Sequence, residues 1–229
     1  MDSEQMIFTA DGRAELHKCI GRLETRVPSR KERTTGQCEQ WMIHAFLECL
    51  EREDCLQTPI SLKKRERPDY ELSLAKTMTE KSLLLFGSTS TESLMIGVEC
   101  SEVIDQTEAE RLAYEEEEQD VGTLIQLWCG DGYVGDICEV EFAESISRAV
   151  KQKQKKLISG FDRFEKDILL LYYNNFRPTL RKKAAVSKTR ERLGSYWTGQ
   201  GFDAVIVYVD GTMLVFMSDC SEIFTSQRL

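Results

Sequence analysis

The chain has 229 residues, 41% hydrophobic and 30% charged, with a formal net charge of −9, which is enough apolar material for one full core. No apolar run is long enough to cross a bilayer, and Met1-Asp2-Ser3-Glu4-Gln5 lacks the basic-then-apolar pattern of a secretory signal, so a cytoplasmic protein with no membrane partner is expected. Eight cysteines without one C-x-x-C pair, beside only His17 and His44, argue against a disulfide framework or a zinc cluster and read as buried reduced thiols.

Gly12 to Glu24 reads as a weak helix, and Pro28 with the polar run Ser29 to Gly36 as a linker, so residues 1–36 form an expected N-terminal extension. Thr34 or Thr35 is placed to cap the next helix, about residues 37–53, whose apolar stripe is Ile43, Phe46, Leu47 and Leu50. Glu39 lies four residues before Ile43 and falls on that stripe. An acid there needs a partner or a metal, unless it sits in a frayed first turn or a cap.

Residues 58–64 and 69–75 read as short strands around the charged run Lys63-Lys64-Arg65-Glu66-Arg67. In the second, Tyr70, Leu72 and Leu74 alternate with Glu71 and Ser73, the half-buried pattern. Ser82 to Phe86, a turn at Gly87-Ser88-Thr89-Ser90, and a strand from Leu94 to Cys100 follow. Alternation puts Gly97, Glu99 and Ser101 on one face of that strand and Ile96, Val98 and Cys100 on the other. Gly97 reads either as room for a metal or a backbone phosphate beside Glu99, or as a plain edge-strand glycine.

From Glu99 to Glu144 there are fifteen acids and one arginine; the tract Glu102 to Asp120 reads as an exposed helix or loop. Thr123 to Cys129 reads as a short strand before a turn at Gly130-Asp131-Gly132-Tyr133. The sign then reverses, with fourteen Lys or Arg against four acids from Arg148 to Arg192, so a basic face is compatible with the acidic total. Within that stretch a helix over 141–160 turns Phe142, Ile146, Ala149, Val150 and Leu157 inward and carries Lys151, Lys153, Lys155 and Lys156. Ile168 to Tyr173 is a continuous apolar run, as in a strand buried on both faces. A basic helix from Leu180 to Leu193, entered through Pro178, precedes two strands, Phe202 to Val209 and Thr212 to Met217, joined by an Asp210-Gly211 hairpin turn. Neither histidine lies in a nucleophile–base motif, and there is no G-x-S-x-G elbow and no glycine-rich phosphate loop after a strand, which argues against a Ser or Cys hydrolase and a nucleotide binder.

Pro68-Asp69 on the second of these strands, Glu99-Cys100-Ser101 on the third, and the order helix, strand, strand, strand, helix, strand together resemble the PD-(D/E)xK nuclease superfamily. The resemblance covers residues 37–175 and implies an α/β restriction-endonuclease-like core, a central mixed four-stranded sheet flanked by helices (αβββαβ). Residues 176–229 would then be a C-terminal helix and hairpin elaboration of one domain spanning 1–229. It also implies DNA phosphodiester hydrolysis through Mg²⁺ (or Mn²⁺) held by Asp69, Glu99 and the Cys100 carbonyl, with Glu39 matching an additional helix acid. Ser101 stands where the family has its E-x-K lysine. Lys153 or Lys156 can replace it from the helix, and Lys153, four residues before Leu157, lies near the buried stripe. DNA would be met through residues 148–192, and a homodimer is left open. Two alternatives remain: a nuclease-like fold that binds nucleic acid or protein without cutting, which Ser101 favours, and a small α/β interaction protein using the acidic tract 102–120.

Overall fold

In the computed structural model, which describes residues 4–23, 34–75, 86, 93–104, 136–160, 162–174, 180–194, 201–218 and 221–225, helices cover both faces of one mixed sheet. Eight strands lie side by side in chain order: β1 (Gln5–Ala10), β2 (Ile60–Lys64), β3 (Tyr70–Ala75), β4 (Ser93–Val103), β5 (Lys166–Tyr173), β6 (Ala204–Val209), β7 (Thr212–Met217) and β8 (Ser221–Thr225). The helices among the described residues are α1 (Arg13–Ile20), α2 (Thr35–Arg52), α3 (Ile137–Gly160) and α4 (Lys182–Leu193). β4 pairs with β5 in parallel, as does β5 with β6, and all other neighbours are antiparallel. Parallel neighbours need a long crossover, and here α3 and α4 lie within the two connections.

Strand alternation divides the core in two. Ile96, Val98 and Cys100 of β4 and Ile168 and Leu170 of β5 join α1 and α2 residues such as Leu16, Trp41, Phe46 and Leu47. On the other face, Leu169 and Leu171 meet Phe142, Ile146, Val150 and Leu157 of α3 and Ala185 and Leu193 of α4. The apolar run of β5 is therefore buried on both faces, as its sequence implies. α2 starts at a capping box: the Thr34 hydroxyl accepts from the Gln37 N–H at 3.2 Å, and Gln37 Oε1 accepts from the Thr34 N–H at 2.8 Å, an arrangement worth about 1 kcal/mol. The β6–β7 turn puts Asp210 and Gly211 at φ of 46° and 69°, the left-handed pair that matches strand twist.

The expected four-stranded sheet is corrected to one of eight strands among the described residues. β1 and α1 arise from the stretch read as an extension, yet β1 pairs with β2 and Leu16 and Ile20 enter the first core. The C-terminal hairpin continues the same sheet, because β6 lies parallel to β5. Both joins are long-range, and local periodicity carries no trace of them. Asp69 stands one residue before β3 rather than within the strand. Gly97 lies in the middle of the sheet and not at an edge. The elements expected at Pro28 to Arg33, Ser82 to Leu85, Gly87 to Ser90, residues 105–120, Thr123 to Cys129, Gly130 to Tyr133 and Pro178 lie outside the described residues. No helix among the described residues is long and apolar enough to cross a membrane.

Candidate functional site

The hairpin between β2 and β3 and the far end of β4 bring the acids together. β3 begins with Tyr70 paired to Val98. Beyond that pair the Asp69 carboxylate takes the place of a ladder partner, its Oδ2 accepting from the Cys100 N–H at 2.7 Å. The loop is closed by the Arg65 N–H donating to the Asp69 carbonyl at 2.9 Å. Glu99 precedes Cys100 and projects to the opposite face, the α3 side, where only 7% of its side chain is exposed.

A buried carboxylate needs a cation or donors, and α3 supplies one. Lys153 Nζ donates to Glu99 Oε1 at 2.6 Å and to the Cys100 carbonyl oxygen at 3.2 Å. Of the two lysines singled out, Lys153 is thus the one on Glu99. Lys156, three residues on, lines a separate cavity with Glu99. Ser101 donates no charge but lines the same cavity of about 310 Å³ as Lys153, Glu39 and Cys100.

Glu39 reaches this cavity from α2 and has its partner: Lys64 Nζ of β2 donates to its Oε2 at 2.6 Å. The Lys64 ammonium also stands 4.3 Å from the centre of the Tyr70 ring, an attractive cation–π arrangement. Burial, with Glu99 and Glu39 close by, pushes the Asp69 carboxyl up to about 7, against the opposing pull of the Cys100 N–H and Lys64. Burial likewise drives the Cys100 thiol far up, so it is no nucleophile. The space beside Gly97 is taken by protein: an added Cβ would meet Phe164 Cδ2 at 2.8 Å, Asp167 Oδ1 at 2.9 Å and Pro68 Cγ at 3.0 Å. This corrects the expectation that Gly97 leaves room for a metal or a phosphate.

Among the described residues, no group of three or more His, Cys, Asp or Glu side chains is arranged to hold a metal ion. Asp69, Glu99 and the Cys100 carbonyl offer two carboxylates and one carbonyl. Those are hard oxygens of the kind Mg²⁺ accepts while retaining several waters.

The basic segment lies on the Glu99 side, since α3 and α4 share the second core. Much of the α4 end is internally matched. Arg181 binds the buried Glu139 through its backbone N–H, Nε and Nη2, at 3.0, 2.9 and 3.2 Å. Lys188 pairs with Asp136 at 2.6 Å and Arg192 with Glu144 at 2.8 Å. Lys182 donates to Thr212 Oγ1 at 2.6 Å and to the Asp210 carbonyl at 3.3 Å.

Sequence reasoning missed Lys64 and Arg67. Both lie in the run Lys63 to Arg67 that flanks Pro68-Asp69. Their adjacency to an acidic motif was the available signal. No family model, curated protein or solved structure matches the chain.

Proposed function

We propose that the chain is a metal-dependent nuclease of the PD-(D/E)xK kind, acting on DNA with Lys153 in the role that Ser101 vacates. The observation that carries this reading is the seat of Lys153 Nζ, on both Glu99 Oε1 and the Cys100 carbonyl. The order α2, β2, β3, β4, α3, β5 supports it, since it is the element order that the resemblance over residues 37–175 implies. Asp69, Glu99 and the Cys100 carbonyl would hold Mg²⁺ or Mn²⁺, and Glu39 would stand by as the accessory acid. When bound, the cation supplies Lewis-acid polarisation of the phosphoryl oxygen and lowers the pKa of a coordinated water. Asp69 is aimed by the Cys100 N–H, and because burial pushes its carboxyl up to about 7, a cation binding there would have to displace its proton below that pH. Lys153 orients the attacking water and offsets negative charge developing on the phosphoryl oxygens. Of the cations in 148–192, the exposed Arg148, Lys155 and Lys156 of α3 would be the ones to meet DNA phosphates, Arg181, Lys188 and Arg192 of the α4 end being spent on Glu139, Asp136 and Glu144.

The same contact supports a second reading, a nuclease-like fold that binds without cutting. An ammonium already occupies the two oxygens a cation would use. One assay separates them: cleavage of single-stranded, duplex and branched DNA at low salt with Mg²⁺ or Mn²⁺, by wild type, Asp69→Ala and Glu99→Ala. Metal-dependent cutting lost in both variants establishes the nuclease. Binding without cutting by wild type establishes the second reading.

A further inference from the structure

We infer that Arg67 and Lys156 form a phosphate-binding subsite beside Glu99, which takes one backbone phosphate of a nucleic-acid strand. A cavity of about 310 Å³ is lined by Glu66, Arg67, Glu99, Lys156, Ser159 and Gly160. It meets the cavity of Lys153 at the 2.6 Å Lys153–Glu99 contact, since each partner of that contact lines one of the two. Arg67 and Lys156 are both exposed. Neither has an ion-pair or side-chain hydrogen-bond partner among the described residues, unlike Lys63, Lys64 and Arg65 just before Arg67 in the chain. Lys63 and Arg65 are held by Glu71, at 2.8 and 2.6 Å, and Lys64 by Glu39. Two cations from separate elements, the β2–β3 loop and the last turns of α3, therefore converge on one concavity with their charge uncommitted.

Opposing charge is present and is weaker. Glu99 is already matched by Lys153, which leaves Glu66 as the one unpaired carboxylate lining this cavity. The C-terminus of α3 contributes about half a negative charge, less than the two full positive ones. One step further along, the trough changes sign. The adjoining cavity of about 290 Å³ is lined by Glu4, Arg65, Glu66, Arg67, Gly160 and Asp162; its Arg65 is already matched by Glu4, Glu71 and Asp162, so Arg67, shared between the two cavities, faces three acids there. Next to Glu99 both Arg67 and Lys156 face the cavity, whereas beyond it Arg67 alone stands against Glu4, Glu66 and Asp162, so the charge balance favours one phosphate next to Glu99. An arginine fork and a lysine point charge suit the oxygens of a phosphate.

The subsite deepens the nuclease reading and rests on it for naming nucleic acid as the source of the phosphate. Its test reads binding, not cutting. Fluorescence anisotropy in EDTA would follow short single-stranded oligonucleotides across a salt series, carrying a 5′-phosphate, a 3′-phosphate or neither. The proteins are wild type, Arg67→Ala, Lys156→Ala, the double variant, and Lys18→Ala on α1, an exposed lysine on the opposite face of the sheet. Each of the first two variants is expected to weaken binding about tenfold and to lower the salt slope by about 1, with Lys18→Ala unchanged. Equal losses with all three oligonucleotides identify an internal phosphodiester, and a loss confined to one end-labelled oligonucleotide identifies a terminal phosphate. Either result upholds the subsite. Unchanged binding in the double variant overturns it, as does an equal loss in Lys18→Ala, which would mark diffuse attraction. A wild type that binds but never cuts defeats the nuclease reading and leaves the subsite standing. All these side chains are exposed, and thermal melts run alongside would check that each variant is folded.

Discussion

Moving the lysine to position 101, where the PD-(D/E)xK pattern would place it under the proposed reading, is the sharpest perturbation available. Lys153→Ala removes an ammonium with 18% of its side chain exposed from a carboxylate with 7% exposed. Breaking a fully buried pair costs about 3–5 kcal/mol and a surface pair about 0–1. This pair lies close to the buried limit at a cavity mouth, so a loss of about 2–3 kcal/mol is expected. In a chain of this size that lowers Tm by roughly 4–12 °C. Under the proposed nuclease reading, loss of one preorganised donor to the reacting phosphoryl group would cost about 10²–10³ in kcat. Ser101→Lys in the same protein returns a cation to the cavity, because Ser101 follows Glu99 by two residues on the same face of β4 and lines the cavity of Lys153. The double variant is expected to regain at least about tenfold of the lost rate.

The assay is single-turnover cleavage at saturating Mg²⁺, run beside thermal melts with and without Mg²⁺. A divalent cation can take the place of the ammonium on Glu99 Oε1 and the Cys100 carbonyl, so Mg²⁺ should raise the Tm of Lys153→Ala more than that of wild type. A folded Lys153→Ala protein that cuts at the wild-type rate refutes the role given to Lys153. So does a double variant that recovers its Tm and none of its rate. Equal Mg²⁺ shifts in Tm for the two proteins refute the shared seat of ammonium and metal.

Three further outcomes follow from the same geometry. Gly97→Ala forces a Cβ to within 2.8–3.0 Å of Phe164, Asp167 and Pro68 and should cost about 1–3 kcal/mol by overpacking; a urea midpoint equal to wild type would contradict the packing described. Asp69 titrates near 7 in the metal-free protein, above its unfolded value, so the stability it contributes is fully present below the unfolded pKa and is lost as pH rises through about 7. Asp69→Asn, which keeps an acceptor for the Cys100 N–H, should therefore raise Tm at pH 8 and leave it little changed at pH 4, while wild-type Mg²⁺ affinity climbs about tenfold per pH unit up to about 7 and then levels; calorimetric titrations showing a flat profile would refute this. Arg181 holds the Glu139 carboxyl down at about 2; a depressed acid stabilises above its unfolded pKa, so stability should fall as pH drops from about 4.5 toward 2, and Glu139→Gln should flatten that fall in urea melts.

What the sequence makes legible here is what local spacing determines. Ile43, Phe46, Leu47 and Leu50 repeat at helical intervals and all are buried, and Thr34 with Gln37 spells the cap that starts α2. The run Ile168 to Tyr173 names a central strand because only a strand covered on both faces can hide it. Lys153 could be chosen over Lys156 because four residues separate it from Leu157, one helical turn along the buried stripe. β1 escaped notice: its burial pattern hides only Phe8 and Ala10 fully, too short an alternation to stand out, and its place is set by pairing with β2 some fifty residues away. Gly97 looked like space because a sequence shows what a residue lacks and not what fills the gap.

Charge was the least legible property, and the reason is physical. Fifteen acids followed by fourteen bases suggest two opposed surfaces, but the parallel crossovers lay the beginning of α3 against α4. Asp136, Glu139 and Glu144 then neutralise Lys188, Arg181 and Arg192. A charge that is matched at contact distance has little left for a partner, since its field is cancelled over about the Debye length within which a phosphate would sense it. The cations that matter for binding are those the fold leaves uncommitted, and their positions depend on which helix end meets which strand. Arg67 illustrates this from the other side: it lies in a short mixed-charge run outside the basic segment, yet the β2–β3 loop carries it into the cavity of Glu99. The electrostatic footprint of this chain is therefore a property of its topology, and a net charge of −9 neither forbids nor predicts a phosphate site beside Glu99.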